Sequence, residues 1–141
     1  MKCLLVDDED GIRDGLAALL RLRGHEVRTA ADRRSALAML HDQTFDVLLT
    51  DWRLPDGDAA DLIATATCPV VAASGHPEEV RGGDRLFAVL QKPIAPARLF
   101  CVLGEVAART SPALSTVQLL ASLPLLDHIS ARRRKPAHRR K

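Results

Sequence analysis

The sequence predicts an α/β fold in which a parallel sheet is covered by helices on both faces. Five short apolar runs alternate with segments that carry apolar residues at helical spacing. This alternation is typical of parallel sheets whose crossovers are right-handed. Aromatic residues are scarce, with three Phe, one Trp and no Tyr. We therefore expect a core built from Leu, Val, Ile and Ala.

The five strands are predicted from their apolar runs and from the turn residues that bound them. They lie at residues 2–6, 25–29, 46–50, 69–74 and 86–91. The helix between the first two strands carries Leu16, Leu19 and Leu20 on one face and ends at Gly24.

The other connections differ in their predicted helix content. Asp32 is expected to cap a second helix that runs to about Gln43. The segment WRLPDGD predicts a loop, and ADLIATA predicts a short third helix. PEEVRGGD stands in the place of a fourth helix but can form only a turn or two before its two glycines. Pro96 suits the first turn of the last helix.

Polar side chains stand at the ends of four predicted strands. Asp7 and Asp8 follow the first strand, Asp51 the third and Lys92 the fifth, while Ser74 ends the fourth. The carboxyl ends of parallel strands lie along one edge of a sheet, and ligands bind there. We therefore expect three carboxylates, a hydroxyl and an ammonium to meet at that edge.

This set of side chains suits phosphoryl transfer assisted by a metal ion. Three neighbouring carboxylates repel one another unless a cation lies among them, and their oxygen atoms suit Mg²⁺ better than Zn²⁺. Asp51 could attack a phosphoryl group, while Lys92 and Ser74 contact its oxygens. The alternative is an inert acidic rim in which Asp8 or Asp10 caps the first helix. We favour the first interpretation because all four strands carry suitable residues in order.

The segments LLVDDED, LLTDWRLPDGD, VVAASGH and LQKP together resemble the receiver domain of two-component response regulators. The resemblance covers residues 2 to about 109 and implies a flavodoxin-like (βα)5 fold with strand order 2-1-3-4-5. It implies that Asp51 accepts phosphate from a histidine kinase or a histidine phosphotransfer protein. It also implies that Ser74 and Lys92 contact the phosphoryl group. The implied Mg²⁺ ligands are Asp7, Asp8, Asp51 and the backbone carbonyl of Arg53.

Three features depart from the pattern of the family that the chain resembles. Val89 stands where receivers usually carry Tyr or Phe, which puts aromatic-coupled switching in doubt. Only 23 positions separate Asp51 from Ser74, and 18 separate Ser74 from Lys92, so both crossovers are short. Arg53 and His76 occupy positions that tune phosphate lifetime in the family. We hypothesise that they shield an acyl phosphate, and solvated surface side chains are the equally weighted alternative.

Residues 1–109 are thus predicted to form the receiver, and residues 110–141 a linker, an apolar segment and a basic tail. The apolar segment could dock on the receiver, form a homodimer contact or bind a partner, and we favour docking. Residues 132–141 carry seven of the twenty Lys and Arg, leaving thirteen basic against eighteen acidic residues elsewhere. Such a run is more often a solvated tail, and contact with nucleic acid is the alternative.

Several other classes of protein are disfavoured. No apolar run approaches the ~20 residues that cross a bilayer, and the acidic N-terminal segment is unlike a signal peptide. The three distant cysteines lack a CxxC pair, which favours buried, reduced thiols in a cytoplasmic protein. A metal-dependent phosphatase of similar topology usually needs a second aspartate where this chain has Arg53.

We therefore expect a stand-alone receiver that signals by protein interaction and is not an enzyme beyond its own Mg²⁺-dependent phosphorylation and dephosphorylation. The alternative is a transcriptional or other nucleic-acid-binding regulator in which phosphorylation gates the basic tail. Neither expectation includes a membrane.

Overall fold

The structure, a computed structural model, describes residues 1–110 and contains a five-stranded parallel sheet. Two single-turn 3-10 helices, Pro77–Glu79 and Gly83–Arg85, lie between the last two strands. The other elements are β1 (Lys2–Val6), α1 (Asp10–Leu22), β2 (Glu26–Ala30), α2 (Arg33–Asp42), β3 (Val47–Asp51), β4 (Arg53–Leu54), β5 (Gly57–Asp58), α3 (Ala60–Thr65), β6 (Val70–Ser74), β7 (Leu86–Gln91) and α4 (Pro96–Thr110).

The main sheet has the order β2-β1-β3-β6-β7, and every neighbouring pair of strands is parallel. Counted along the chain within this sheet alone, the order is 2-1-3-4-5. The predicted flavodoxin-like fold is therefore confirmed. Each strand begins and ends within one residue of its predicted bounds, because the apolar runs that fill the buried sheet are bounded by polar or turn residues.

The core lies in two layers, one on each face of the sheet. Helices α1 and α4 cover one layer, and α2 and α3 cover the other. Successive residues of β1 point to opposite layers, so that Cys3 and Leu5 belong to the first and Leu4 and Val6 to the second. Both layers are mainly aliphatic, as the composition predicts.

Helix α2 begins where the sequence predicts it. The Asp32 carboxylate accepts a hydrogen bond from the Ser35 backbone N–H at 2.7 Å, and the helix ends before Gln43. This bond satisfies one of the N–H groups that a helix leaves unpaired at its first turn. The predicted cap is therefore confirmed.

The connection from β6 to β7 contains no α-helix. Its two 3-10 turns agree with the prediction of a turn or two, so the described residues carry four α-helices around five sheet strands. Gly82 packs closely in this connection, since a Cβ there would lie 2.9 Å from the Cγ of Leu86. Gly83 adopts a φ of +50°, which glycine tolerates best.

The segment after β3 is more regular than the predicted loop. Strands β4 and β5 form a short antiparallel hairpin in which Arg53 pairs with Asp58 and Leu54 pairs with Gly57. The Asp56 carboxylate in its turn accepts hydrogen bonds from the backbone N–H groups of Arg33 and Arg34 at 2.9 and 3.0 Å. The hairpin is thereby tied to the first turn of α2. The sequence prediction missed it because a two-residue strand has no periodicity.

The cysteines are free thiols in three environments. Cys3 is buried, Cys68 is half-buried and Cys101 is exposed on α4, so the expectation of buried thiols is wrong for Cys101. Burial raises the pKa of the Cys3 thiol to about 11. Within residues 1–110, no helix has both the length and the apolar character needed to cross a bilayer.

The predictions for the end of the chain fall outside the described residues, apart from Thr110, which ends α4. They are the linker, the docking, homodimer or partner contact of the apolar segment, and the nucleic-acid contact of residues 132–141.

Candidate functional site

The register of the sheet brings the predicted site residues to one edge. Val6 pairs with Thr50 across β1 and β3, so the next residues along these strands, Asp7 and Asp51, lie side by side. The Asp7 N–H donates to the Ala30 carbonyl at 3.1 Å, and the Lys92 N–H donates to the Ser74 carbonyl at 2.9 Å. These bonds extend the strand pairing by one residue and hold the site backbone to the sheet.

Three carboxylates form an acidic cluster at this edge. One carboxylate oxygen from each of Asp7, Asp8 and Asp51 lies within 4.8 Å of the other two. Asp7 is buried, whereas Asp8 is exposed and opens the cluster to water. Adjacent ligands of an octahedral Mg²⁺ lie about 3 Å apart and opposite ligands about 4.2 Å apart, so the three oxygens would move closer together to bind one ion. The hard oxygen donors and the access for water both suit Mg²⁺.

Lys92 joins two members of this cluster. Its Nζ donates to Asp51 Oδ2 at 2.8 Å and to Asp7 Oδ2 at 3.0 Å. Burial alone would lower the pKa of Lys92, but the bonds to Asp51 and Asp7 outweigh it, and the net pKa is raised. The ammonium is therefore charged, and it supplies one positive charge against the three carboxylates of the cluster. The remaining negative charge attracts a cation.

Asp51 responds differently to the same surroundings. Burial is the largest influence on its carboxyl group and raises the pKa above the ordinary value, although the hydrogen bond from Lys92 acts in the opposite direction. The charges of Asp7 and Asp8 raise it further. A divalent cation in the cluster would offset this repulsion and favour the ionised, nucleophilic form.

Asp7 is held from both its side chain and its backbone. Its Oδ1 accepts from the Glu9 N–H at 2.9 Å, and its carbonyl accepts from the Arg13 guanidinium at 2.9 Å. Glu9 occupies the N-cap position of α1, and its side chain makes no capping hydrogen bond within the described chain. Neither Asp8 nor Asp10 holds the capping position, although Asp10 lies in the first turn of α1 and places a negative charge there.

Ser74 lies at the end of β6 in a second set of hydrogen bonds. Its hydroxyl donates to Glu79 Oε1 at 2.9 Å and accepts from the His76 N–H at 3.0 Å. Glu79 also accepts from Arg53, whose Nε lies 2.8 Å from Oε1 and whose second nitrogen bonds to Oε2. We call these three side chains the Ser74–Glu79–Arg53 network.

The structure thus divides the predicted site residues into two groups. The three aspartates and Lys92 meet in one cluster, whereas Ser74 and the Arg53 side chain belong to the network. The acidic cluster is defined by side-chain oxygens and does not include backbone atoms. The Arg53 carbonyl therefore remains a predicted ligand. The shielding role of Arg53 and His76 also remains a prediction. His76 is exposed, with its Nδ1 3.5 Å from Glu78.

Glu79 is the site residue that the sequence interpretation missed. It lies in PEEVRGGD, a segment whose glycines and lack of periodicity predict no fixed position for any side chain. A weak signal was available. Arg53 and Glu79 carry opposite charges in two connections that both leave the sheet at the carboxyl edge of the strands.

This fold and this cluster agree with the comparison against known families. The family model of the response regulator receiver domain matches residues 3–103. The chain therefore belongs to the response regulator receiver domain family of two-component signalling, as the motifs predict.

Curated relatives support the same assignment. The phosphate regulon transcriptional regulatory protein PhoB of Pseudomonas aeruginosa is 31% identical over 140 residues, covering 92% of this chain and 61% of PhoB. The response regulator receiver protein Anae109_2439 of Anaeromyxobacter is 35% identical over 105 residues, covering 68% of this chain and 44% of that protein. The chain thus spans less than two thirds of the length of these relatives.

Solved structures show the same architecture. The receiver domain of the hybrid histidine kinase CckA is 33% identical, with a TM-score of 0.66 over 75% of this chain and 98% of that domain. The receiver domain of sensor histidine kinase PA1611 of Pseudomonas aeruginosa is 28% identical, with a TM-score of 0.64 over 74% of this chain and 94% of that one. The latter structure has a magnesium ion coordinated in its active-site cleft.

Proposed function

We propose that this receiver domain accepts a phosphoryl group on Asp51 and that phosphorylation controls its interaction with other proteins. The observation that carries the proposal is the Lys92 ammonium, which bridges Asp51 and Asp7 beside the exposed carboxylate of Asp8. This arrangement provides a nucleophile, a cation binding site and a positive charge within one small volume. Phosphoryl transfer needs positioning and charge stabilisation above all.

The proposed donor is phosphohistidine on a histidine kinase or a histidine phosphotransfer protein. A carboxylate oxygen of Asp51 attacks the phosphorus, a new O–P bond forms and the N–P bond breaks. The electron pair of that bond stays on the histidine nitrogen, and a proton on the other ring nitrogen leaves the imidazole neutral. In dephosphorylation, water attacks the phosphorus and the O–P bond to Asp51 breaks, so inorganic phosphate leaves with the protons of the water and the Asp51 carboxylate is restored.

Mg²⁺ is the metal that the residues fit. Asp7, Asp8 and Asp51 would hold it, with the Arg53 carbonyl as a further proposed ligand. When bound, it neutralises charge on the phosphoryl oxygens as they approach the acids. Lys92 pairs with a phosphoryl oxygen from the buried side of the site, and its raised pKa keeps it charged. The Ser74 hydroxyl donates to another oxygen after leaving Glu79.

The proposal is tested by incubating the protein with Mg²⁺ and acetyl phosphate and measuring its intact mass. In this donor the bond that breaks joins phosphorus to the acetyl oxygen, and acetate leaves with the electron pair. We expect one phosphate adduct on the wild type and none on Asp51→Asn, because the amide cannot act as the nucleophile. Removing Mg²⁺ with a chelator should also abolish the adduct. An equal adduct on both proteins would exclude Asp51 as the acceptor.

The proposal includes protein partners and a cytoplasmic location for this receiver domain. Family membership supports a signalling role through protein contact. Three free cysteines support a cytoplasmic location.

A second candidate is a regulator whose basic tail contacts nucleic acid when Asp51 is phosphorylated. The similarity to PhoB, a protein named as a transcriptional regulator, is the observation in its favour. Salt-dependent binding to a defined DNA that is lost on deletion of residues 132–141 would support this candidate. Binding that survives the deletion would contradict it.

A further inference from the structure

The Ser74–Glu79–Arg53 network places a carboxylate against the hydroxyl that the proposed reaction uses. The Ser74 side chain is buried, and its single proton is directed at Glu79 Oε1 at 2.9 Å. The same oxygen accepts from Arg53 Nε at 2.8 Å, and Arg53 also contacts the second oxygen of Glu79. The Arg53 side chain is 72% exposed, whereas that of Glu79 is only 22% exposed. Glu79 is therefore held from two sides.

We propose that Glu79 is a positioning residue that competes with the phosphoryl group for the Ser74 hydroxyl and thereby limits phosphorylation of Asp51. The inference rests on the proposed function of Asp51, and it adds a residue outside the acidic cluster. Asp51 ends β3, whereas Glu79 lies in the β6–β7 connection and accepts a hydrogen bond from Ser74, so its effect on the reaction passes through Ser74.

The competition follows from the chemistry of a hydroxyl group. Serine has one proton to donate, so Ser74 cannot donate to Glu79 and to a phosphoryl oxygen in the same state. A phosphoryl oxygen and a carboxylate are both strong, charged acceptors. Forming the new bond therefore requires breaking an existing one of similar strength. The net gain from the hydroxyl is smaller in the presence of Glu79 than in its absence.

Arg53 strengthens the competing state. It donates to both oxygens of Glu79 and fixes the orientation of the carboxylate toward Ser74. The Arg53 guanidinium forms an ion pair with Glu79, so the carboxylate that accepts from Ser74 is held in place by a charged partner. Arg53 follows Asp51 by two residues and begins β4, so the network connects β4 with the β6–β7 connection.

Release of Glu79 from Ser74 also provides a structural consequence of phosphorylation. Glu79 is the last residue of the 3-10 turn Pro77–Glu79 and precedes the half-buried Val80. Receiver domains usually have an aromatic ring at the position of Val89, and that ring couples the hydroxyl residue to the surface. Val89 has no ring. The turn that carries Glu79 offers a separate connection from Ser74 to the surface.

The test compares Glu79→Gln with Glu78→Gln in the full chain. Both substitutions remove one charge from the same 3-10 turn, but Glu78 is exposed and pairs with His76 instead of Ser74. Each protein is incubated with acetyl phosphate and Mg²⁺, and the phosphorylated fraction is followed by intact mass. We expect Glu79→Gln to raise the phosphorylated-to-unphosphorylated ratio by roughly three- to tenfold, since an amide oxygen is a weaker acceptor than a carboxylate. Glu78→Gln should change it less than about twofold.

A Ser74→Ala background separates competition for the hydroxyl from a merely structural effect. If Glu79 acts through Ser74, then Glu79→Gln should have no further effect once the hydroxyl is absent. A wild-type adduct on Asp51 with equal ratios for the two glutamine variants would overturn the inference and leave the proposed function standing. A gain from Glu79→Gln that persists with Ser74→Ala would also overturn the inference. Absence of any wild-type adduct would overturn both.

Discussion

Two connections of this domain both join parallel strands of the main sheet, but they differ in the secondary structure that they contain. The connection from β2 to β3 contains the ten-residue helix α2, capped by Asp32. The connection from β6 to β7 contains two single-turn 3-10 helices. Both nevertheless return the chain to a parallel strand whose end lies at the same edge of the sheet. The difference shows that the sheet positions the acidic cluster and Lys92, whatever the connections contain.

The connections between strands determine stability and regulation. The segments around the sheet differ in how much apolar surface they bury, since Leu62 of α3 is fully buried whereas Val80 of the β6–β7 connection is half-buried. The short connection also places Glu79 beside Ser74. We therefore expect the helical connections to contribute more to stability and the β6–β7 connection to contribute more to regulation.

The largest expected effect is a difference in the free energy of unfolding between a substitution in α3 and one in the β6–β7 connection. Leu62→Ala should reduce the free energy of unfolding by about 2–5 kcal/mol, because it leaves a cavity under α3. Val80→Ala should reduce it by about 1 kcal/mol or less, because its side chain is already partly hydrated in the native state. Urea unfolding at 25 °C measures both. Equal losses would show that the short connection is packed as firmly as a helix.

A smaller change in the free energy of unfolding should distinguish the acidic cluster from an acidic residue elsewhere on the surface. In metal-free buffer at pH 7, Asp51→Asn should raise the free energy of unfolding, because it removes a charge from a buried site where the neighbouring carboxylates repel it. Asp14→Asn, which removes an exposed charge from α1, should change it by less than about 0.5 kcal/mol.

The pH dependence of this gain has a defined sign. The pKa of Asp51 is raised in the folded protein, so the native state binds its proton more tightly than the unfolded chain does. The charged carboxylate therefore costs stability above the folded-state pKa, and the cost disappears as the pH falls through that pKa. Thermal unfolding of both proteins across this range should show the advantage of Asp51→Asn shrinking toward acid pH. An advantage that grows toward acid pH would contradict the repulsion.

The sequence predicted the sheet and the acidic cluster well, for a common physical reason. Buried parallel strands need apolar runs, and the residue after each run must lie at the carboxyl edge, so Asp7 and Lys92 could be placed without side-chain detail. The position of Glu79 was not predictable in this way. Its contact with Ser74 depends on the conformation of a glycine-containing connection, where neither periodicity nor burial specifies a direction. The β4–β5 hairpin escaped prediction because its two-residue strands leave no pattern.

Magnesium binding tests the acidic cluster most directly, and Trp52 provides the signal. It is the single tryptophan, it follows Asp51 and it is 7% exposed, so its fluorescence should respond when an ion binds beside it. We expect a saturable change on Mg²⁺ titration of the wild type. Asp8→Asn should weaken the affinity by at least about tenfold through loss of a charged ligand, whereas Asp14→Asn should change it less than about twofold. Equal affinities for the wild type and Asp8→Asn would contradict the proposed site.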